Sequence, residues 1–120
     1  MAVKSLLFLN RAAPYGHGRA AEMLEAALVA AAFGQEVRLA FLDDGVFQLV
    51  AGQQAGAVGQ KSQAELIALL DEHDIDAVLV EAESLAERGL SPADLMVEAE
   101  ILPRAALTRA LAGADMVISA

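Results

Sequence analysis

Cysteine and tryptophan are both absent from this chain of 120 residues. Without a thiol there is no disulfide, no thiolate metal site, no iron–sulfur cluster and no sulfur nucleophile. Aromatics are few, four Phe and one Tyr, and so are bases: eight Lys and Arg face 17 Asp and Glu, a formal net charge of −9 and a pI near 4.5. Affinity for a nucleic-acid backbone comes largely from counterion release by clustered Lys and Arg, and the eight here are scattered, which argues against direct nucleic-acid binding. Although 57% of the residues are hydrophobic, no uninterrupted apolar run approaches the ~20 residues of a membrane-spanning helix. The first apolar stretch, Leu6 to Leu9, is too short for a signal peptide and runs at once into Asn10 and Arg11; a cytoplasmic location is the default expectation.

What is present is a single domain, residues 1–120, long enough to bury roughly 65% of its surface on folding. Short apolar runs alternate with longer helical patterns, the mark of an α/β domain with a mainly parallel sheet. Five strands are expected, at Val3 to Leu9, Glu36 to Leu42, Ile75 to Val80, about Met96 to Ile101, and Asp115 to Ser119. The third is apolar without alternation, as in a strand covered on both faces, and is expected to be central. The fourth alternates Val97, Ala99 and Ile101 with Glu98 and Glu100, as an edge strand does.

Helices are expected at Arg19 to Phe33, stopping at Gly34; at Gln63 to His73, opened by Ser62 and Glu65 in capping-box spacing; and from Pro103 to Gly113. A short turn ends at Gly89 and a second starts at Ser91-Pro92. Much of the apolar share is alanine, which predicts close helix–sheet packing. The stretch Ala26 to Phe33 holds no polar side chain, whereas a helix on one face of a sheet ordinarily keeps a wet stripe. Either an alanine-rich surface or a second subunit over this helix accounts for it.

Ligands in open α/β sheets favour the carboxyl ends of strands. The first such junction, Asn10-Arg11-Ala12-Ala13-Pro14-Tyr15-Gly16-His17-Gly18, lacks both G-x-G-x-x-G and G-x-x-x-x-G-K-[ST], so a nucleotide phosphate site there has weak support. His17 has no cysteine or serine beside it and reads as a loop or interface residue; His73 suits the negative end of a helix dipole. The run Asp43-Asp44-Gly45-Val46-Phe47-Gln48-Leu49 offers paired carboxylates for a metal, an acid/base pair or a helix cap. Capping by Asp44 or Gly45 is the reading preferred, with Val46, Phe47 and Leu49 on an exposed turn where Phe47 needs a cover. A phosphorylatable receiver pattern is absent: Asn10 ends the first strand, Glu81 follows the third, and no lysine follows Lys61. Residues 62–100 carry eleven of the 17 acids and one base, Arg88, either as a solvated acidic face or as a docking surface for a basic partner.

Taken together, Asn10-Arg11-Ala12-Ala13-Pro14-Tyr15-Gly16, Ala31-Ala32-Phe33, the run from Phe41 to Leu49, Gly52-Gln53, Gly59-Gln60-Lys61 and Ser84 to Leu90 resemble the TusC/DsrF family over essentially the whole length. These are the cysteine-free members of the DsrE/DsrF/DsrH-like sulfur-relay proteins. The resemblance implies a three-layer α/β/α fold with a five-stranded parallel sheet and assembly with TusD/DsrE-like and TusB/DsrH-like subunits in a heterohexamer. It further implies persulfide sulfur carried by a cysteine of the TusD/DsrE-like partner and passed to a TusE/DsrC-like acceptor. The end use is 2-thiouridine at the tRNA wobble position, or sulfur oxidation in the Dsr branch. No catalytic, cofactor or metal residue carries over. The motif residues Asp43, Asp44, Gly45, Val46, Phe47, Gln48, Leu49, Gly52 and Gln53, together with the first helix, are the expected assembly surfaces, and Asn10, Arg11, Pro14, Tyr15 and Gly16 form the first-loop motif of the resemblance. A stand-alone small-molecule-binding α/β domain is the competing expectation from a different class.

Overall fold

The structure is a computed structural model that describes residues 3–13, 19–50, 63–72, 75 and 77–119. The Pro14 to Gly18 loop, Gly52, Gln53, the Gly59-Gln60-Lys61 match, Ser62 of the capping box and His73 lie outside the described residues.

The elements follow in the order β1 (Ser5–Asn10), α1 (Arg19–Ala32), β2 (Glu36–Phe41), a 3-10 turn (Asp43–Leu49), α2 (Gln63–Glu72), β3 (Val78–Glu81), α3 (Ala82–Glu87), a second 3-10 turn (Pro92–Asp94), β4 (Glu100–Leu102), α4 (Arg104–Gly113) and β5 (Met116–Ser119). The five strands form one parallel sheet in the order β4-β3-β2-β1-β5. The central place belongs to β2, not to the third strand. Val78–Glu81 is buried at every position because both sheet faces are covered there; an apolar run without alternation marks an inner strand and cannot rank the inner strands.

Alternate strand residues point to opposite faces. On the front face Phe8, Val37, Leu39, Phe41, Val78 and Val80 meet Met23, Leu24, Ala27 and Leu28 of α1 and Ile67 and Leu70 of α2. The back face carries Leu7, Ala40 and Leu79 under one helix, α4, whose only fully buried residue is Leu107. The two-sided cover follows from the winding. The chain steps β1 to β2 to β3 in one direction and returns from β4 to β5 in the other, and right-handed crossovers then put α4 on the opposite face from α1 and α2. Arg38 of β2 reaches back to the Ala110 carbonyl in the last turn of α4 at 3.4 Å, a cation where the helix dipole favours one.

Two helix stops work as the glycines suggest. At α1 the N–H of Gln35 donates to Ala30 O and that of Gly34 to Ala31 O, with Gly34 at φ 87°. At α3 Leu90 and Gly89 repeat the pattern onto Leu85 and Ala86, with Gly89 at φ 68°. Both are closed by a left-handed residue that only glycine adopts without strain. The second short start is a capping box between Ser91 and Asp94. The fourth strand is shorter than its alternation suggests, because the chain first turns inward: the Met96 N–H donates to Leu49 O at 2.8 Å and Leu95 bridges Val50. It is an edge strand, as expected.

Because Leu107 of α4 is the buried centre of the described back-face cluster, Leu107→Ala is expected to cost about 2–5 kcal/mol of stability. Urea unfolding should show a lower midpoint at unchanged slope.

Candidate functional site

The carboxyl ends of β1, β2 and β3 and the start of α4 enclose a cavity of about 350 Å3. Leu42, Leu107 and Leu111 form its apolar part, and Arg11, Asp43, Glu81 and Arg104 its charged part. This is the position where open parallel sheets hold ligands.

At its floor lies Glu81, the last residue of β3, only 2% exposed. A buried carboxylate has to be paired and hydrogen-bonded, and Glu81 is. Arg104 donates to it twice, Nε to Oε2 at 3.1 Å and Nη2 to Oε1 at 3.2 Å, and Ser84 Oγ donates to Oε1 at 2.6 Å. The Arg104 hydrogen bonds hold the Glu81 carboxyl below the ordinary glutamate value of 4.5; burial pushes the other way, and the Ser84 bond and the charges of Arg104 and Arg88 add to the lowering. The same contact raises Arg104 above its ordinary value. Ser84 Oγ in turn accepts the backbone N–H of Asp43 at 2.8 Å. The backbone N–H of Arg104 donates to both oxygens of Glu83 at 3.0 and 3.1 Å, which closes the start of α4.

The paired carboxylates of the Asp43–Leu49 turn go separate ways. Asp43 accepts from Arg11 at 3.1 Å and Asp44 from Arg88 at 3.2 Å, so they do not share a ligand. Neither Asp44 nor Gly45 caps the turn. It begins at Asp43, with Leu42 in the cap position and no side-chain cap bond. Asp43 has φ 52°, a left-handed conformation uncommon outside glycine, held by the Ser84 bond to its N–H. Gly45 is pressed against the end of β1: a Cβ there would stand 2.0 Å from the Asn10 carbonyl oxygen. Asn10 is buried, donates to the carbonyls of Phe8 and Ala40, and accepts from the Leu42 N–H. Gln48, also buried, donates to the Ala12 carbonyl at 2.9 Å.

The turn therefore is not the exposed apolar surface expected of it. Val46 and Leu49 are fully buried in the front core, Gly45 and Gln48 are buried, and Phe47 is half-buried; Asp43 and Asp44 keep accessible side chains. A seven-residue turn between two covered layers can insert alternate faces into the core, which the sequence pattern does not reveal. Sequence reasoning also placed Glu81 in a solvated acidic stretch and passed over its partners Ser84 and Arg104. The signal available was a single acid ending an otherwise apolar strand.

Chemically the cluster is closed. Ser84 is fully buried, its hydroxyl spent on a carboxylate and a backbone N–H, so it lacks the access that an activated nucleophile needs. The charges lining the cavity balance, two guanidinium groups against two carboxylates. Among the described residues no group of three or more His, Asp or Glu is arranged to hold a metal ion, and no helix is long and apolar enough to cross a membrane.

The chain belongs to the DsrE/DsrF-like family, whose model matches residues 4–120. Within it the chain is of the TusC/DsrF type. It is 36% identical over 117 residues to a TusC homolog of Vibrio vulnificus, covering 98% of this chain and 99% of that protein. It is 39% identical over 100 residues to a TusC homolog of Vibrio parahaemolyticus, with 83% and 85% covered. With the intracellular sulfur oxidation protein DsrF of Allochromatium vinosum it shares 43% identity over 94 residues, 78% of this chain and 69% of that one. The fold matches the crystal structure of the ychN protein from E. coli at a TM-score of 0.85 and 21% identity, over 98% of this chain and all of that one.

Two outcomes follow from the cluster. Gly45→Ala is expected to cost about 1–3 kcal/mol, since the added methyl meets backbone that cannot yield without moving β1; thermal unfolding reads it directly. Because the folded Glu81 value is depressed, its contribution to stability is complete above the ordinary value of 4.5 and disappears as pH falls through the folded value. Urea midpoints taken from neutral pH downward should therefore fall less steeply on the acid side in Glu81→Gln than in the unaltered chain.

Proposed function

We propose that this chain is a non-catalytic structural subunit of a TusBCD/DsrEFH-type sulfurtransferase complex. The carrying observation is the match over 117 residues to a TusC homolog in a chain that has no cysteine. A relay of persulfide sulfur needs a thiolate at each station, so the sulfur travels on the cysteine of a TusD/DsrE-like partner, with a TusB/DsrH-like subunit completing the heterohexamer and a TusE/DsrC-like protein accepting the sulfur. The closed hydrogen bonding of Ser84 and Glu81 supports a scaffold role. The end product is 2-thiouridine at the tRNA wobble position, made in the cytoplasm by partners, since a chain of charge −9 is ill suited to touch RNA. The identity to DsrF supports the second reading, service in sulfur oxidation.

The outer stripe of α1 supports assembly. Its exposed residues are Glu22 and Glu25 in the first half and Ala26, Val29, Ala32 and Phe33 after them, with Val29 56% and Phe33 76% exposed. A stripe of this kind is covered in a stable complex. Asp43, Asp44 and Phe47, together with Gly52 and Gln53, form the second contact, while Gly45, Val46, Gln48 and Leu49 hold that turn in place from the core.

Co-expression with the cysteine-bearing relatives tests the reading. The unaltered chain should co-elute with them in size-exclusion chromatography. Phe33→Asp, whose side chain makes little contact within the subunit, should weaken its retention by about thirtyfold, as loss of a buried aromatic anchor does. A chain that stays monomeric beside those partners, or that alone accepts radiolabelled sulfur, would sink the proposal.

A further inference from the structure

An open groove of about 600 Å3 runs between the Pro92–Asp94 turn and β4. Leu95, Met96, Val97, Ala99 and Ile101 line it, all half-buried and packed against the front core. β4 is the outermost strand and only three residues long. Among the described residues, the N–H groups of Val97, Glu98 and Ala99 just before it make no backbone hydrogen bond. An edge with free N–H and C=O groups is a template for another strand. Along it Glu98 and Glu100 stand exposed, alternating with Val97, Ala99 and Ile101. No basic residue occurs between positions 89 and 103.

We infer that this edge takes an extended peptide segment of a protein partner as a sixth strand, one whose side chains alternate between apolar and basic. Strand addition of this kind draws affinity from main-chain hydrogen bonds and selectivity from alternate side chains. The apolar set fills the groove beside Val97, Ala99 and Ile101; the basic set lies along Glu98 and Glu100. A second copy of this chain fits badly, because pairing two such edges would bring Glu98 and Glu100 of both copies onto one ribbon, and like charges across a strand pair destabilise it. The surface is at the edge of the sheet opposite β5; it adjoins the Asp43–Leu49 turn, since the Met96 N–H donates to Leu49 O and Leu95 bridges Val50.

The test is fluorescence anisotropy with a labelled synthetic peptide of alternating valine and lysine, titrated with the full chain at about 0.15 M salt, where only close charge pairs survive screening. Saturable binding is expected. A peptide of equal composition in two blocks, and one N-methylated at alternate residues, should each bind at least about tenfold more weakly, and the double variant E98K/E100K should weaken the alternating peptide by about tenfold. Equal binding by the block or N-methylated peptide, undiminished binding by the double variant, or no saturation by about 1 mM would overturn the inference. Should circular dichroism show the double variant unfolded, the N-methylated peptide against the unaltered chain still decides. A dimer of the chain alone in ultracentrifugation, dissociated by the peptide, would put a second copy on this edge and overturn it as well.

Discussion

A carboxylate taken out of water dictates much of this molecule. Glu81 ends the most buried strand with its side chain on the back face, and a lone charge there would be prohibitively costly. Its two Arg104 hydrogen bonds and one from Ser84 fix two neighbours at once. Arg104 is the first residue of α4, so the pair seats the helix packed on the back face. Ser84 is in α3 and holds the backbone of Asp43, so the same carboxylate governs the turn that follows β2. Remove the charge and both layers lose a reference point at the same end of the sheet.

The Asp43–Leu49 turn shows how such a constraint is passed on. Asp43 is held in a left-handed conformation, Gly45 lies against the Asn10 carbonyl with no room for a side chain, and Gln48 binds the loop that leaves β1. These contacts lock the carboxyl ends of β1 and β2 together. In a catalytic α/β protein that end is where a reactive group is displayed. Here the cavity at that end is lined by paired charges and satisfied donors.

Beside the paired groups of the described interior, the unusual features are on the surface. The outer stripe of α1 passes from acidic to apolar along its length, and the β4 edge offers an apolar groove bordered by carboxylates. One is a helix face and the other a sheet edge, on separate parts of the domain, so a partner on one need not displace a partner on the other. Acids stand beside both, Glu22 and Glu25 on α1 and Glu98 and Glu100 at β4.

Hydrophobic period and punctuation were enough to read the architecture. The strands, the long helices, the glycine stops at Gly34 and Gly89 and the edge position of the alternating β4 are local properties, written in residues a few positions apart. The polar-free second half of α1 was equally legible, because a wet stripe is a local expectation. Three things were not. The rank of β2 over β3 at the centre depends on which strands pair. The burial of Val46, Gln48 and Leu49 depends on a turn being clasped between Asn10, Ala12 and the front core. The pairing of Glu81 with Arg104 joins residues 23 positions apart; an acid ending an apolar strand is a local signal, but no local pattern names its partner. Sequence settled what each segment is because segment structure follows from backbone and side-chain periodicity. Tertiary structure alone decided which charges are buried, since burial is a property of what other segments bring near.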